Sequence, residues 1–161
     1  METVRYCIDT NVLIEPWRKY YSYSICPDYW DIIDQLGQEE IIFCTEEVAR
    51  EIQKSDDDLT NWLKERSFLI RPINESVQSY LIDILSKFPR LVDTSKRRSM
   101  ADPWVIAHAM AEDAVVVTKE FATDSLKKVK MPDVCKYYDI RCIDDHQLVL
   151  ELGIKFNANR H

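Results

Sequence analysis

Short runs of apolar residues alternate along this chain with longer segments in which apolar residues recur at three- or four-residue spacing. The short runs have the length and composition of β-strands, and the longer segments match helices with one apolar face. The predicted strands cover residues 4–8, 41–44, 68–70, 114–118 and 141–143. The run at 114–118 is continuous and β-branched, as expected of a parallel strand that is buried on both faces.

Capping residues, glycines and prolines mark where the predicted helices begin and end. The predicted N-caps are Asp28, Thr45, Asn74 and Asp144. These helices are predicted to end at Gly37, at Ile52, at Phe88 before Pro89, and at Leu152 before Gly153. Further helices are predicted over 59–66, from Asp102-Pro103 onward and from Pro132 onward. The aromatic segment 15–27 is predicted to form an ordered loop or a short irregular helix.

Strands that alternate with helices indicate an α/β fold with a mostly parallel sheet and helices on both faces. A chain of 161 residues is the length of one domain, which buries about two-thirds of the surface that the unfolded chain exposes. We predict a single domain over residues 1–153 and a loose C-terminal tail over 154–161.

Composition narrows the functional classes. The chain is 46% hydrophobic and 30% charged, and no apolar run approaches the roughly 18 residues of a membrane span. The N-terminus lacks a signal-peptide pattern, and the five cysteines include no Cys-x-x-Cys pair, which favours reduced thiols in the core. We therefore expect a cytoplasmic protein without a membrane partner.

The net charge of −7 argues against a protein that coats nucleic acid with a broadly basic surface. Any polyanion that this protein handles must therefore meet a local basic patch. The densest basic cluster is Lys96-Arg97-Arg98. A solvated basic loop is an equally good interpretation of these three residues.

Four acidic residues lie where the predicted elements would bring them to the carboxyl edge of the sheet: Asp9, Glu51, Asp102 and Glu120. Asp9 and Glu120 each follow a strand, whereas Asp102 opens a helix. Glu51 borders the apolar face of another helix, with Glu47 as the reserve candidate. The carboxyl ends of strands in an open α/β sheet face a shared crevice. Three of these acids also have a structural interpretation, because Asp9 and Asp102 could be helix caps and Glu120 a solvated loop acid.

Carboxylates that converge repel one another unless some are protonated or a cation binds between them. A site made only of oxygen ligands suits Mg²⁺ or Mn²⁺ better than Zn²⁺, which prefers histidine and thiolate ligands. Such an ion can activate a water molecule and stabilise charge on a phosphate oxygen. The four acids therefore predict phosphodiester hydrolysis.

The motifs around these acids resemble those of the PIN-domain ribonuclease family. Segment 9–14, DTNVLI, matches the opening Asp-x-Asn-x-Leu signature, and segment 45–52 resembles the helix that carries the second acid. Segments 102–109 and 116–120 resemble the third-acid helix and the strand that ends in Thr-x-acid. The resemblance covers about residues 4–152. Two departures are the Glu at position 120, where Asp is usual, and the unusually aromatic loop 17–28.

The resemblance implies a three-layer α/β/α sandwich and an endoribonuclease that depends on Mg²⁺ or Mn²⁺. It assigns the metal to Asp9, Glu51, Asp102 and Glu120, and the orientation of these carboxylates to Asn11 and Thr118. RNA is the implied substrate, and Lys96, Arg97 and Arg98 would hold its phosphates. Members of the family are often the toxin of a toxin–antitoxin pair, as the VapC toxins are, which implies an antitoxin partner and leaves a homodimer open.

Two other functions fit parts of the pattern. One is a PIN-like module that binds RNA or protein without cleaving it. The other is a phosphatase of the haloacid-dehalogenase type, which also begins with an acid after a strand. That family has Asp two positions after its nucleophile, whereas this chain has Asn11, so the phosphatase is disfavoured.

Overall fold

The computed structural model of the chain describes residues 3–55, 57–91, 101–123 and 129–160. Its strands are β1 (Tyr6–Ile8), β2 (Ile42–Thr45), β3 (Ile70–Arg71), β4 (Val115–Val117) and β5 (Cys142–Ile143). Its α-helices are α1 (Thr10–Glu15), α2 (Pro27–Gln38), α3 (Glu46–Gln53), α4 (Asp58–Lys64), α5 (Glu75–Lys87), α6 (Asp102–Glu112), α7 (Met131–Tyr137) and α8 (Asp145–Leu152). A π-helix spans Pro16–Tyr20, and short 3-10 helices span Ser67–Leu69 and Pro89–Leu91.

The five strands pair in parallel in the order β3-β2-β1-β4-β5. β1 lies at the centre, with Tyr6 beside Ile42 of β2 and Ile8 beside Val117 of β4. The chain first builds the sheet outward from β1 to β3 and then returns to place β4 on the other side of β1. The junction between β1 and β4 is therefore the topological switch point, where ligands bind in open α/β sheets.

Alternate residues of β1 face opposite layers of helices. The Cys7 thiol points towards the backbone carbonyl of Val105 in α6, at 3.6 Å. The Tyr6 hydroxyl instead donates to Glu151 of α8, at 3.3 Å. Since successive side chains of a strand point to opposite faces of the sheet, β1 is covered on both sides. The predicted three-layer α/β/α sandwich with a parallel sheet is confirmed.

Two predictions about where an element begins were wrong. Cys26, not Asp28, is the N-cap of α2, because Pro27 takes the first helical position, which suits its fixed φ. Residues Ser67–Leu69 form a 3-10 helix, and the strand that was predicted there is only Ile70–Arg71. Short apolar runs of this length do not distinguish a strand from a buried helical turn.

Gly37 was predicted to end α2, but it lies inside the helix, which continues to Gln38. A Cβ at this position would lie 2.9 Å from Leu69 Cγ and 3.2 Å from Phe68 Cε2. Gly37 therefore allows the 3-10 helix to pack closely against α2. Its role is a close approach between two elements and not a helix cap.

The aromatic segment after α1 is an irregular helix, as predicted. Its Trp17 packs edge-on against Trp30 of α2, with ring centroids 4.8 Å apart, and lies 6.1 Å from Trp62 of α4. These contacts attach the π-helix to the core. Further along the chain, Phe156 stacks on Tyr21 at 4.9 Å, and the proposed domain boundary at residue 153 stays a prediction.

All five cysteines are unpaired, with Cys7, Cys44 and Cys135 buried. This confirms the prediction of free thiols, most of them in the core. Among the residues that the structure describes, no helix is both long enough and apolar enough to cross a membrane.

We expect Gly37→Ala to lower the free energy of unfolding by about 1 kcal/mol or more, because its new methyl group would overpack a buried site. That loss opposes the helix-propensity gain of up to about 1 kcal/mol that alanine brings. Urea titration of both proteins measures the difference. Gln35→Ala, on the exposed side of the same helix, is the control and should change stability by less than about 0.5 kcal/mol. A stabilised Gly37→Ala protein would contradict the close-packing role.

Candidate active site at the carboxyl edge of the sheet

Asp9 lies directly after β1, next to the end of β4. Its backbone N–H donates to the carbonyl of Val117 at 2.9 Å. One carboxylate oxygen accepts from the backbone N–H of Thr10 at 2.8 Å, and the other accepts from the Thr118 hydroxyl at 2.9 Å. The side chain is only 2% exposed. Asp9 thus caps α1, as its structural interpretation required, and also binds the neighbouring strand end.

Thr10 connects Glu51 to Asp9 through two hydrogen bonds. The Thr10 hydroxyl donates to Glu51 Oε2 at 2.6 Å, while Thr10 N–H binds Asp9. Glu47, the reserve candidate, instead pairs with Arg50 of its own helix. The helical-wheel preference for Glu51 therefore agrees with the observed orientation.

Asp102 is the first residue of α6 and is 3% exposed. Ala101 occupies the N-cap position, so Asp102 is not the N-cap of this helix. The Ala101 N–H donates to Glu51 Oε1 at 3.3 Å, which brings the start of α6 beside Glu51. A carboxylate in the first turn is stabilised by the positive end of the helix dipole.

Glu120 reaches the same edge from the loop after β4. Its backbone N–H donates to the Thr118 hydroxyl at 3.2 Å, and its Oε2 accepts from the Met131 N–H of α7 at 3.0 Å. Asn11 accepts from the Lys119 N–H at 3.2 Å. Asn11 and Thr118 thus link the loop after β4 to the start of α1.

Sequence reasoning missed the contacts that Lys119 makes. Its ammonium group lies 2.6 Å from Glu15 at the end of α1, 2.9 Å from the Tyr20 hydroxyl and 3.7 Å from Asp145 in α8. Burial and the hydrogen bond to Asp145 raise the pKa of Tyr20 to about 12, whereas the hydrogen bond from Lys119 acts in the opposite direction. Lys119 therefore joins three elements around the loop that carries Glu120. A single lysine has no sequence signature for such a role, because its partners are far apart along the chain.

The electrostatics of the site centre on Asp9. The pKa of Asp9 is raised to about 7, chiefly by burial away from water and further by the nearby charges of Glu120 and Glu51. The hydrogen bonds from Thr118 and Thr10 act in the opposite direction. The effects of Glu51 and Glu120 show that these carboxylates lie close enough to Asp9 to repel it.

The donor chemistry of the four acids matches a hard divalent cation, since every ligand would be an oxygen atom. In the described part of the chain, however, no three carboxylate, imidazole or thiolate groups are already arranged to hold a metal ion. Both oxygens of Glu51 accept hydrogen bonds, and one oxygen of Glu120 does. A carboxylate oxygen that accepts one hydrogen bond still has a second lone pair for a metal, so these bonds orient the two side chains without excluding them as ligands. The basic cluster Lys96, Arg97 and Arg98 lies outside the described residues.

Comparison with known proteins agrees with this architecture. A protein-family model described as "Domain of unknown function (DUF4411)" matches residues 6–156. A comparison with curated protein sequences finds no match.

The fold is similar to those of several toxin–antitoxin complexes. VapBC2 from Rickettsia felis, bound to a DNA fragment from its promoter, matches with 16% identity over 88% of this chain and 98% of that chain, at a TM-score of 0.53. VapBC-1 from nontypeable Haemophilus influenzae matches with 14% identity over 89% and 99% of the two chains, at 0.54. FitAcB from Neisseria gonorrhoeae matches with 19% identity over 88% and 98%, at 0.53. The predicted PIN-like fold is confirmed.

The raised pKa of Asp9 predicts how stability depends on pH in metal-free protein. An unfolded aspartate has a pKa of about 3.9, so between about pH 4 and the folded-state pKa of about 7 the folded protein retains a proton that the unfolded chain loses. The stability contribution is therefore fully present below about pH 4 and is lost as the pH rises to about 7.

Asp9→Asn should flatten this pH dependence and, at pH 8 in EDTA, unfold with a free energy higher by on the order of 1 kcal/mol. Urea titrations from pH 4 to pH 8 measure both effects. Asp113→Asn, at the other end of α6, is the control. An Asp9→Asn protein that is less stable than wild type at every pH would leave Asp9 with its capping role alone.

Proposed function

The chain belongs to the DUF4411 family, and we propose that it is a metal-dependent endoribonuclease that hydrolyses RNA phosphodiester bonds. The observation that carries this proposal is the hydrogen-bond network that connects the buried Asp9 through Thr10 to Glu51 and through Thr118 to the backbone of Glu120. The pKa of Asp9, raised by burial and by Glu120 and Glu51, agrees with this arrangement. Placing several acids at a topological switch point lowers the stability of the folded protein, because the carboxylates repel one another. A functional site explains why this arrangement is retained. A divalent cation would offset the repulsion.

In the proposed mechanism Asp9, Glu51 and Asp102 would hold the metal. Glu120 would support it, either as a ligand or through bound water. A bound Mg²⁺ or Mn²⁺ would activate the attacking water and stabilise charge on the phosphate oxygens. Asp9 needs little reorientation for this role, because the Thr118 hydroxyl and the Thr10 N–H already fix its carboxylate.

The remaining residues keep the acids in position. The Thr10 hydroxyl orients Glu51, and the Asn11 side chain anchors the backbone at Lys119. Removing a residue that orients a metal-binding side chain typically lowers metal affinity or activity 10- to 100-fold. Lys96, Arg97 and Arg98 would bind RNA phosphates, since an acidic protein needs a local cationic patch.

We further propose that the protein is the toxin of a toxin–antitoxin pair. The similar folds belong to VapBC and FitAB complexes, which supports a protein antitoxin as partner and a homodimer as the assembled form. The unpaired state of all five cysteines supports a cytoplasmic location, where thiols stay reduced.

A second candidate function is a PIN-like module that binds RNA or protein without cleaving it. The observation in its favour is that no three carboxylate, imidazole or thiolate groups in the described part of the chain are already arranged to hold a metal ion. If the acids keep this arrangement, too few ligands converge for a catalytic metal. A cleavage experiment separates the two functions.

We expect wild-type protein to cut mixed RNA only when Mn²⁺ or Mg²⁺ is present, and Asp102→Asn to lower the cleavage rate at least about 100-fold, because an amide is a weaker metal ligand. Gel analysis of the fragments over time measures the rate. Asp113→Asn, which changes an acid of the same segment outside the site, should cut at the wild-type rate. Cleavage in EDTA, or an Asp102→Asn protein as active as wild type, would contradict the metal-dependent mechanism.

Metal binding itself can be measured without any substrate. Mn²⁺ should raise the melting temperature of wild-type protein, since a ligand at 100 times its dissociation constant stabilises the folded state by about 2.7 kcal/mol. Glu51→Gln should show a smaller shift, whereas Glu47→Gln, one turn earlier in α3, should match wild type. Equal shifts in all three proteins would show that Glu51 is not a ligand.

A further inference from the structure

Phe121 stands out among the apolar side chains because it is directly exposed beside the candidate active site. It is 82% exposed, more than any other large hydrophobic side chain in the described residues. It follows Glu120 in the chain, so its Cα atom lies about 3.8 Å from the Cα atom of a proposed metal-binding residue. A single exposed apolar side chain is common on protein surfaces, so the significance of this ring lies in its position beside the acids.

The loop that carries Phe121 is fixed on both sides of this residue. Before it, Glu120 accepts a hydrogen bond from the Met131 N–H and donates its own N–H to Thr118. After it, the backbone and the hydroxyl of Thr123 each bind Asp133 of α7 at 2.9 Å. The ring is therefore presented from a loop with defined anchor points.

Phe121 lines a cleft of about 190 Å³ that has two chemically different parts. Thr118 and Glu120 belong to the acidic edge already described. The other part is formed mainly by the apolar side chains of Ala122, Pro132, Cys142 and Ile143, together with Asp144, the N-cap of α8. The cleft thus continues from the candidate active site onto an apolar surface that ends at the Phe121 ring.

We propose that this cleft is a nucleobase subsite in which Phe121 stacks on one base of single-stranded RNA, next to the phosphate held at the acidic edge. The inference rests on the proposed ribonuclease function and adds the recognition of an unpaired nucleotide to it. A nucleotide would match both parts of the cleft with a divalent cation between its phosphate and the acids, because the cation would offset their negative charges and the base offers flat apolar faces. Every base has a π-face, so an aromatic ring can stack on any of them.

Base stacking also explains why the ring belongs in this place. A base paired inside a helix is already stacked on its neighbours, whereas an unpaired base can be splayed out onto an aromatic side chain. The subsite therefore favours loops and single strands over duplex RNA. Phe offers no hydrogen-bonding group, so stacking on it alone does not distinguish one base from another.

The test compares the binding of two single-stranded oligonucleotides in Mn²⁺, by fluorescence anisotropy of a 5′ dye. One is a riboadenylate dodecamer with hydrolysis-resistant phosphorothioate linkages, and the other has the same backbone without bases. Phe121→Ala should bind the dodecamer about 5- to 100-fold more weakly, the range for losing one base stacked on an aromatic ring. Its affinity for the base-free chain should not change.

Two further variants separate stacking from simple apolar contact. Phe121→Tyr keeps the ring and should bind like wild type, whereas Phe121→Leu keeps an apolar side chain and should bind like Phe121→Ala. Tyr137→Ala removes another exposed ring, 59% exposed at the end of α7, and should leave RNA binding unchanged. Melting curves confirm that each variant is folded.

Several outcomes would overturn the subsite. Equal binding of the dodecamer by wild type and Phe121→Ala would overturn it. A Phe121→Leu protein that binds like wild type would also overturn it, and so would a wild type that binds neither oligonucleotide. A Phe121→Ala protein that loses a protein partner but keeps its affinity for RNA would reassign the ring to a protein interface and also overturn the proposal. A wild type that prefers the dodecamer but cleaves no RNA would support the subsite and contradict only the nuclease.

Discussion

The hydroxyl group of Thr118 joins the ends of the two central strands, and the candidate site depends on it. It donates to Asp9 after β1 and accepts from the Glu120 N–H after β4. Two acids from different parts of the chain are thereby fixed relative to one another through one oxygen atom. Because Thr118 is 1% exposed, water does not compete for this hydroxyl, and loss of either partner would leave a buried polar group unsatisfied.

The fold and the location of the site could be predicted from the sequence because their signals are local. The β-branched run before Thr118 and the apolar run before Asp9 define strands by composition, and parallel strands place their carboxyl ends at one edge. The helical periodicity around Glu51 was enough to prefer it to Glu47. These inferences needed only the spacing of residues within one element.

Other features depend on contacts between elements and have no local signal. Gly37 resembles a helix end in the sequence, but Leu69 packing from a distant segment determines its role. The hydrogen bond from Thr10 to Glu51 spans 41 positions. The ion pair of Lys119 with Glu15 connects the loop after β4 to the end of α1. Such roles become visible only when the packing of the whole chain is known.

The position of β1 at the centre of the sheet has a consequence for synthesis on the ribosome. β1 emerges before its partner β4, which lies 109 residues later at the Asp9–Thr118 contact. One edge of the central strand therefore has no native partner until β4 has been made, since loop closure over this distance must await β4. The nascent chain cannot complete the acidic edge earlier, so an incomplete translation product lacks the assembled site.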